Sequence, residues 1–436
     1  MGRGRMYPWA LGVLSGSLIL AAAAPCVILL HVSAGARWDF FGGFGAAFFA
    51  FTALLLLRFC GLLWFGHLEH LNDSTSDAEP EGARPPVTII VPVYNEAVVI
   101  EASIRSLLEL DYPHYEVLVV DDGSTDDTLE RARALGGIHA RGEVRVLTQP
   151  NAGKAAGLNH GIRAARYDFV LCMDGDSKLS RGALGRAMRH FADPAIGAVA
   201  GNVKVVNRRN LLARLQALEY IVGLNLSRRA QSFFRAVHII PGPMGVFRRR
   251  VLLEVGGYPQ DTFAEDCDLT LSVLERGWRI AYESDAVAWT EAPERLLDLV
   301  KQRYRWTRGI LQAVRKRVWA RHSPPALRFA VGSLVFEGLV WPVVNLAVLV
   351  VFAVATMQSG MSLLLVLWWL QLTVLDVAAA FFCVVSEGED LRLVPLALVH
   401  RVAFMTLVDV CKVGATVEEA CALDMNWGKL ERAGRL

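Results

Sequence analysis

The 436 residues include only seven cysteines, and none forms a Cys-x-x-Cys pair or a Cys/His spacing of the kind that holds a metal. That excludes a cysteine-built metal site and reads as reduced thiols in membrane or cytosol. Excess charge is also scarce: 45 Lys and Arg stand against 43 Asp and Glu, a net of +2, and no basic run is interleaved with aromatics. An acidic or nucleic-acid partner is therefore not expected. A P-loop is missing too, because the one Gly-Lys-rich stretch, at Asn151 to Asn159, lacks the Gly-Lys-Ser/Thr ending. Apolar residues are plentiful, at 53% of the chain, and they concentrate at the two ends. The length allows two or three domains.

After Arg3 and Arg5 comes an apolar stretch from Ala10 to Val32, and a second runs from Phe40 to Gly66. Each exceeds the roughly 20 residues that cross a bilayer. Ala21 to Ala24 would suit a signal-peptide cleavage region, but the apolar run continues past it, which favours a membrane helix. The leading arginines favour a cytoplasmic start, so two spans return the chain to the cytoplasm near His67. Leu71 to Pro86, rich in Ser, Asp, Glu and Pro, reads as a linker. Beyond Pro324-Pro325, Phe329 to Thr356 and Met361 to Val385 read as two more spans, interrupted by Glu337 and Asp376. Ionisable groups at that depth usually face a pore or a partner. Leu393 to Ala415, with His400, Arg401, Asp409 and Lys412, reads as either a further span or a re-entrant or interfacial helix. Lys429, Arg432 and Arg435 favour a cytoplasmic end and hence an even number of spans, four.

Between these ends, strands alternate with helical patterns from Val87 to about Ala292, the signature of a mainly parallel α/β sheet. Val87 to Val93 is a strand ending in Tyr94-Asn95-Glu96, and Glu116 to Val120 is another, ending in Asp121-Asp122-Gly123. Asp126 suits a helix cap. Asp122 suits either a turn or hydrogen bonds to a nucleobase or ribose. Val144 to Thr148 is the third strand. Gly153 and Gly157 then let backbone approach a ligand, and Lys154 is either a surface lysine or a cation for phosphate at a helix start. Phe169 to Cys172 leads into Asp174-Gly-Asp176, at the edge where open α/β sheets bind ligands. This pair is either a turn or a hard-oxygen site for Mg²⁺ or Mn²⁺ beside substrate phosphates. His139, His160, His190 and His238 are scattered and read as structural. Downstream lie Glu265, Asp266 and Asp268, then Gln302-Arg-Tyr-Arg-Trp306.

The combination of Val119 to Asp126, Gly153 to Asn159, Asp174-Gly-Asp176, Glu265-Asp266 and Gln302-x-x-Arg305-Trp306 resembles the membrane-integrated family 2 glycosyltransferases. These inverting polymerases include synthases of cellulose, chitin, hyaluronan and poly-N-acetylglucosamine. The resemblance covers nearly the whole chain and implies a glycosyltransferase-A-type cytosolic domain, a Rossmann-like mixed sheet, joined to an α-helical transmembrane bundle. It implies that Tyr94, Glu96, Asp122, Lys154, Asp174 and Asp176 surround a UDP-sugar. Asp122 would hold the uridine end, and Asp174 and Asp176 would bind the Mg²⁺ or Mn²⁺. Asp266 would be the general base, unless it only caps the helix that runs to Arg276. Arg305 would face the diphosphate, with Gln302, Trp306 and Glu265 on the acceptor side.

The domains expected are spans in 1–70, a linker in 71–86, the catalytic domain in 87–293, an interfacial region in 294–322, helices in 323–420 and a tail in 421–436. Leu211 to Val237 is expected to be an interfacial helix. Leu296 to Trp319, with seven Lys and Arg, is expected to lie on an anionic lipid surface. Pro241-Gly-Pro-Met-Gly departs from the family's commoner acceptor loop, which leaves the acceptor's identity open. The expected function is extension of a β-linked polysaccharide at a bacterial plasma membrane from UDP-N-acetylglucosamine, favoured over UDP-glucose because Asp266-x-Asp268-Leu-Thr270 resembles the poly-N-acetylglucosamine branch. Trp427 to Arg432 resembles that branch's tail. The alternatives are a single-sugar transferase with a lipid acceptor, and an inactive scaffold. A small membrane partner subunit is admitted by analogy, and any second-messenger control would need one.

Overall fold

The computed structural model describes residues 6–19, 40–75, 84–319, 323–359 and 363–423. The first expected span beyond residue 19, the terminal arginines and the 427–432 motif lie outside the described residues. Two helices, α1 (Met6–Ile19) and α2 (Phe40–Thr75), come first. Strands and helices then alternate: β1 (Val87–Val93), α3 (Ile100–Leu108), β2 (Tyr115–Asp121), α4 (Thr128–Ala134), β3 (Gly137–Ile138), β4 (Gly142–Thr148), α5 (Lys154–Ala164), β5 (Phe169–Cys172), β6 (Ser177–Leu179), α6 (Ala183–Arg189) and β7 (Ile196–Val205). Next come α7 (Leu211–Glu219), a π-helical turn at Tyr220–Asn225, α8 (Leu226–Phe233), β8 (Gly245–Arg248), α9 (Arg249–Glu254), α10 (Glu265–Glu275), β9 (Arg279–Thr290) and α11 (Leu296–Arg315). The last segments are α12 (Pro325–Val335), α13 (Trp341–Ser359), α14 (Leu363–Ser386), α15 (Ala397–Val399) and α16 (Thr406–Ala420).

The strands form one sheet in the order β3-β4-β2-β1-β5-β8-β7-β9-β6. The block β4-β2-β1-β5 is parallel, and its central strands β1 and β2 are buried along their whole length. Beyond it, β8 runs antiparallel between β5 and β7, which makes the mainly parallel sheet a mixed one. Alternate residues of β1 divide the core. Val87, Ile89 and Val91 pack with Ile104 of α3 and Ala187 of α6 on one face. Ile90 packs with Leu158 and Ile162 of α5 on the other. Thr88 breaks the apolar run, and its hydroxyl donates to buried Glu116 at 2.7 Å.

That second core continues through Leu269 and Leu271 of α10 and Ala313 of α11 to Leu327, Ala330, Val331 and Leu334 of α12. Those four positions recur at helical spacing, so α12 presents one face to the sheet domain. Among the described residues, Ala53–Leu71, Pro325–Val351 and Leu391–Ala420 are long and apolar enough to cross a membrane, while Met6–Ile19 and Leu370–Ser386 are shorter apolar helices. The stretch from Leu391 is broken, with a 3-10 turn at Leu391–Leu396 containing Pro395 and a π-helical turn at His400–Met405 before α16. The ionisable groups in these helices meet partners. Arg58 pairs with Glu337 at 3.1 Å, Asp376 with Arg401, and Asn345 donates to Asp409 at 2.6 Å.

Residues 211–233 form one helical run, α7 and α8 joined through the π turn; α8 packs on α2, and Arg235 pairs with buried Glu69 at 2.9 Å. Part of the basic set of 296–319 is paired within the protein: Arg303 with Glu219 at 2.5 Å, Arg308 with Glu419 at 2.8 Å, and in the turn after α11 Arg317 with Asp268 at 2.6 Å. These three meet carboxylates of α7, α16 and α10, while Arg315 is exposed.

The loop after α14 is fastened to the sheet domain. Glu387 accepts from Asn202 Nδ2 at 2.5 Å and Arg229 Nη2 at 3.1 Å, and its carbonyl accepts from Lys204 Nζ at 3.0 Å. Glu389 pairs with Lys204 at 2.9 Å and with Arg208. A cavity of about 410 Å³ beside this loop, lined in part by His70 and Trp289, contains none of the strand-end carboxylates.

Candidate active site

Because β1, β2 and β5 are parallel neighbours, their carboxyl ends open on one edge. Tyr94 to Glu96, Asp121-Asp122 and Asp174 to Asp176 therefore converge. Asn95 and Ser124 tie the first two loops, with Asn95 N–H donating to Ser124 Oγ at 3.0 Å and Thr125 N–H to Asn95 Oδ1 at 2.8 Å. Gly123, at φ 73°, is the residue that allows the turn, and a Cβ there would stand 2.8 Å from Asn151 N. The N-cap position of α4 falls on Asp127 rather than Asp126, and Asp126 Oδ1 accepts from Thr128 N–H at 3.0 Å in the turn before the helix.

Asp122 is buried and its carboxylate is engaged. Oδ1 accepts from Gln149 Nε2 at 2.7 Å and Ala152 N–H at 3.0 Å, and Oδ2 accepts from Gly153 N–H at 2.8 Å. In this structure it shapes the 149–153 loop that leads into α5 and fixes where Lys154 emerges. Lys154 is not a free surface lysine. Its Nζ lies 2.6 Å from Asp174 Oδ1 and 2.8 Å from Glu265 Oε1. Burial opposes its charge, but Asp174, Glu265 and Asp266 outweigh that and raise its pKa.

Asp174-Gly-Asp176 is not a simple strand-to-helix turn. It carries the chain from β5 to β6, which pairs with β9 at the far edge of the sheet. Asp176 is 4% exposed and Asp174 half-buried. A Cβ on Gly175 would stand 3.8 Å from the Glu96 side chain, which puts Glu96 on the same rim. Gly242 closes the other side, where a Cβ would lie 2.7 Å from Asp174 Oδ2 and 3.0 Å from Lys154 Nζ. The Pro241 to Gly245 loop thus lies against Asp174, and a side chain at Gly242 would displace the ends of Asp174 and Lys154.

Glu265 and Asp266 open α10, whose N-cap position is Ala264. Asp266 is therefore inside the helix rather than its cap, with Oδ1 accepting from Cys267 N–H at 2.7 Å. Burial, with the Glu265 charge beside it, pushes its carboxyl up to about 6. Burial acts on Glu265 in the same sense, but Lys154 outweighs it and the carboxyl is lowered. Adjacent carboxylates with opposite shifts are a signature of divided acid and base roles. Asp268, by contrast, is fully buried between Lys316 and Arg317, each at 2.6 Å, and faces away from this chemistry.

The helix α11 closes the site. Gly309 allows it to approach α10, since a Cβ there would be 2.3 Å from Ala264 N. Arg305 Nη1 donates to Phe263 O at 3.4 Å and its charge acts on Glu265. Trp306 packs with Val203, Ala217 and Tyr220, and the Tyr220 phenol feels the charge of Asp176. The Gln302 side-chain carbonyl is buried with no hydrogen-bond partner among the described residues. Sequence reasoning missed Arg303 and Glu219. Their only signal was a charge at helical spacing, which an exposed helix face would also give.

Among the described residues, no group of three or more His, Cys, Asp or Glu is arranged to hold a metal alone. Asp174 and Asp176 offer hard oxygens at one edge of the opening. Such a set fits Mg²⁺ or Mn²⁺, which commonly take one or two carboxylates and complete their shell with substrate phosphates and water.

Residues 85–309 match the model of the family described as "Glycosyltransferase like family 2". The chain is 32% identical over 255 residues to a poly-beta-1,6-N-acetyl-D-glucosamine synthase of Staphylococcus aureus strain COL, covering 58% of this chain and 61% of the relative. It is 31% identical over 235 residues to the synthase of the same name from Staphylococcus epidermidis, covering 54% and 57%. The matched part thus spans about three-fifths of the length of these relatives. The fold is similar to that of a mannosyltransferase from Pyrobaculum calidifontis solved in complex with GDP-Man and Mn²⁺, with a TM-score of 0.60, 25% identity, and coverage of 85% of this chain and 99% of that one.

Proposed function

The chain belongs to glycosyltransferase family 2, and on that premise we propose that it extends a β-linked polysaccharide at a bacterial plasma membrane, using UDP-N-acetylglucosamine as donor. One observation carries the reading. Lys154, Asp174, Glu265 and Asp266, drawn from three separate segments, meet at a single strand edge with Arg305 above them. The names of the Staphylococcus relatives support the choice of sugar. The apolar helices flanking the sheet domain support the membrane setting.

In the proposed reaction, Asp266 accepts the proton of the acceptor hydroxyl as that oxygen bonds to the anomeric carbon and the bond to the diphosphate breaks. A carboxyl raised to about 6 is still ionised at neutral pH and is a better base than an ordinary aspartate. Inversion needs only this one carboxylate, unlike glycoside hydrolysis, which needs two. Lys154 and Arg305 supply positive charge toward the departing UDP, and Tyr94 and Glu96 border the donor on the β1 side. Asp122 supports the donor site through the loop it organises. Asp174 and Asp176 would hold Mg²⁺ or Mn²⁺, which when bound would neutralise charge on the diphosphate. Trp306 would be the apolar platform for the acceptor sugar, with Gln302 and Glu265 beside it.

The test is UDP release by the purified protein in lipid, with Mg²⁺, Mn²⁺ or a chelator, offered UDP-N-acetylglucosamine and UDP-glucose separately and with the product sized. A long polymer from UDP-N-acetylglucosamine that disappears with the chelator is expected. Addition of one sugar, or none without a lipid acceptor, would replace the polymerase with a single-sugar transferase. No turnover with any donor would favour a scaffold.

A further inference from the structure

Arg303 is buried, with its side chain 4% exposed, and its guanidinium carbon lies 4.3 Å from the centre of the Trp306 ring. One nitrogen, Nη2, reaches Glu219 Oε2 at 2.5 Å. Nε and Nη1 are buried with no hydrogen-bond partner among the described residues. As a device for stability this is a poor one. The guanidinium over the ring gains less than is lost by two buried donors left without an acceptor. Burial also pushes the Glu219 carboxyl up against the pull of Arg303. Replacing such a pair with apolar residues would often be neutral or stabilising. Its geometry does something else: the cation covers the Trp306 indole, while Val203, Ala217 and Tyr220 pack around it. Glu219 ends α7 where the backbone opens into the π-helical turn at Tyr220–Asn225, an irregularity often found at functional sites.

Resting on the polymerase reading above, we propose that Arg303, anchored by Glu219, is a positioning residue that fixes the orientation of Trp306 and thereby sets how long the growing chain is retained between additions. A platform free to turn about its side-chain torsions would release the acceptor sooner, with no direct effect on donor binding.

The experiment compares R303K with the charge-exchanged pair E219R/R303E, in the full chain in lipid, by product length, donor KM and thermal melting. R303K keeps a cation for Glu219 but not the guanidinium over the ring, and it is expected to shorten the mean product about fivefold, with the donor KM unchanged. The exchanged pair rebuilds the salt bridge without a cation over the ring. It is expected to melt above R303E alone and yet to make the short product. Product of wild-type length from R303K, or exchange that restores length together with melting, would overturn the inference and reduce the pair to a structural tie. Wild-type protein that adds a single sugar would overturn the polymerase reading itself, independently of either variant.

Discussion

Lys154 Nζ stands 2.8 Å from Glu265 Oε1, and this contact joins the start of α5 to the start of α10 across the mouth of the site. The same ammonium holds Asp174 at 2.6 Å. Lys154→Met leaves three neighbouring carboxylates without that cation and removes a charge expected to face the diphosphate. UDP release should fall about a hundredfold. Lys154→Arg, which keeps the charge on a bulkier group, should recover part of it. Turnover of Lys154→Met within a few-fold of wild type would remove this lysine from the chemistry.

The raised Asp266 carboxyl has two consequences. As the base it works ionised, so kcat/KM should climb with pH and level off above about 6. A carboxyl raised in the fold takes up protons between its unfolded and folded pKa, so its contribution to stability is fully present below the unfolded value. That contribution declines as pH rises through about 6. Asp266→Asn should therefore lose transfer by a factor on the order of a thousand, yet melt no lower than wild type at pH 7.5. A variant that keeps activity, or a profile with no acidic limb, would assign the base elsewhere.

Gly242 and Gly309 are both too close to neighbours for a side chain, but the neighbours differ. At Gly309 the obstacle is the backbone of Ala264, which cannot yield without moving α10. Gly309→Ala should cost about 1–3 kcal/mol of stability as well as activity. At Gly242 the obstacles are the ends of Asp174 and Lys154, which can turn aside. Gly242→Ala should melt within about 0.5 kcal/mol of wild type while the donor KM rises about tenfold, the result of a displaced carboxylate. Equal melting of the two variants would contradict this distinction.

Asp268 tests the separation of roles within one short acidic cluster. It is 1% exposed between Lys316 and Arg317. Asp268→Ala takes one carboxylate from Arg317, which keeps Glu275 at 3.1 Å, and should destabilise by about 2 kcal/mol, with the donor KM of the surviving folded protein unchanged. A raised donor KM with normal melting would bring Asp268 into the site.

The parallel strands and their carboxylate ends were legible because a strand buried on both faces has few sequences to choose from, and glycines and aspartates cluster where it stops. Asp122 and Asp174 were found in that way, whereas Asp266, in the first turn of α10, was singled out through the family resemblance. The partners of those groups were not. Arg303 is bound to Glu219, 84 residues away, and Arg308 to Glu419, 111 residues away. A row of cations on one helix reads the same whether lipid or a distant carboxylate faces it. The antiparallel β8 was equally hidden, since Gly245-Val-Phe-Arg248 carries no mark of direction. Gly309 looked like an ordinary helix glycine until Ala264 was seen against it.

Glu387 has one more consequence, for where the chain can be cut. Its three donors, Asn202, Lys204 and Arg229, belong to the sheet domain, although Glu387 itself follows the apolar helix α14. Glu419 stands in the same relation to Arg308 and Gln312, and Leu327 and Val331 to the core beneath α10. A fragment ending near residue 319 would leave those cations without counter-ions and open a hydrophobic face to water. The sheet domain and the apolar helices thus share polar ties and core contacts, and a fragment cut there is expected to melt well below the full chain.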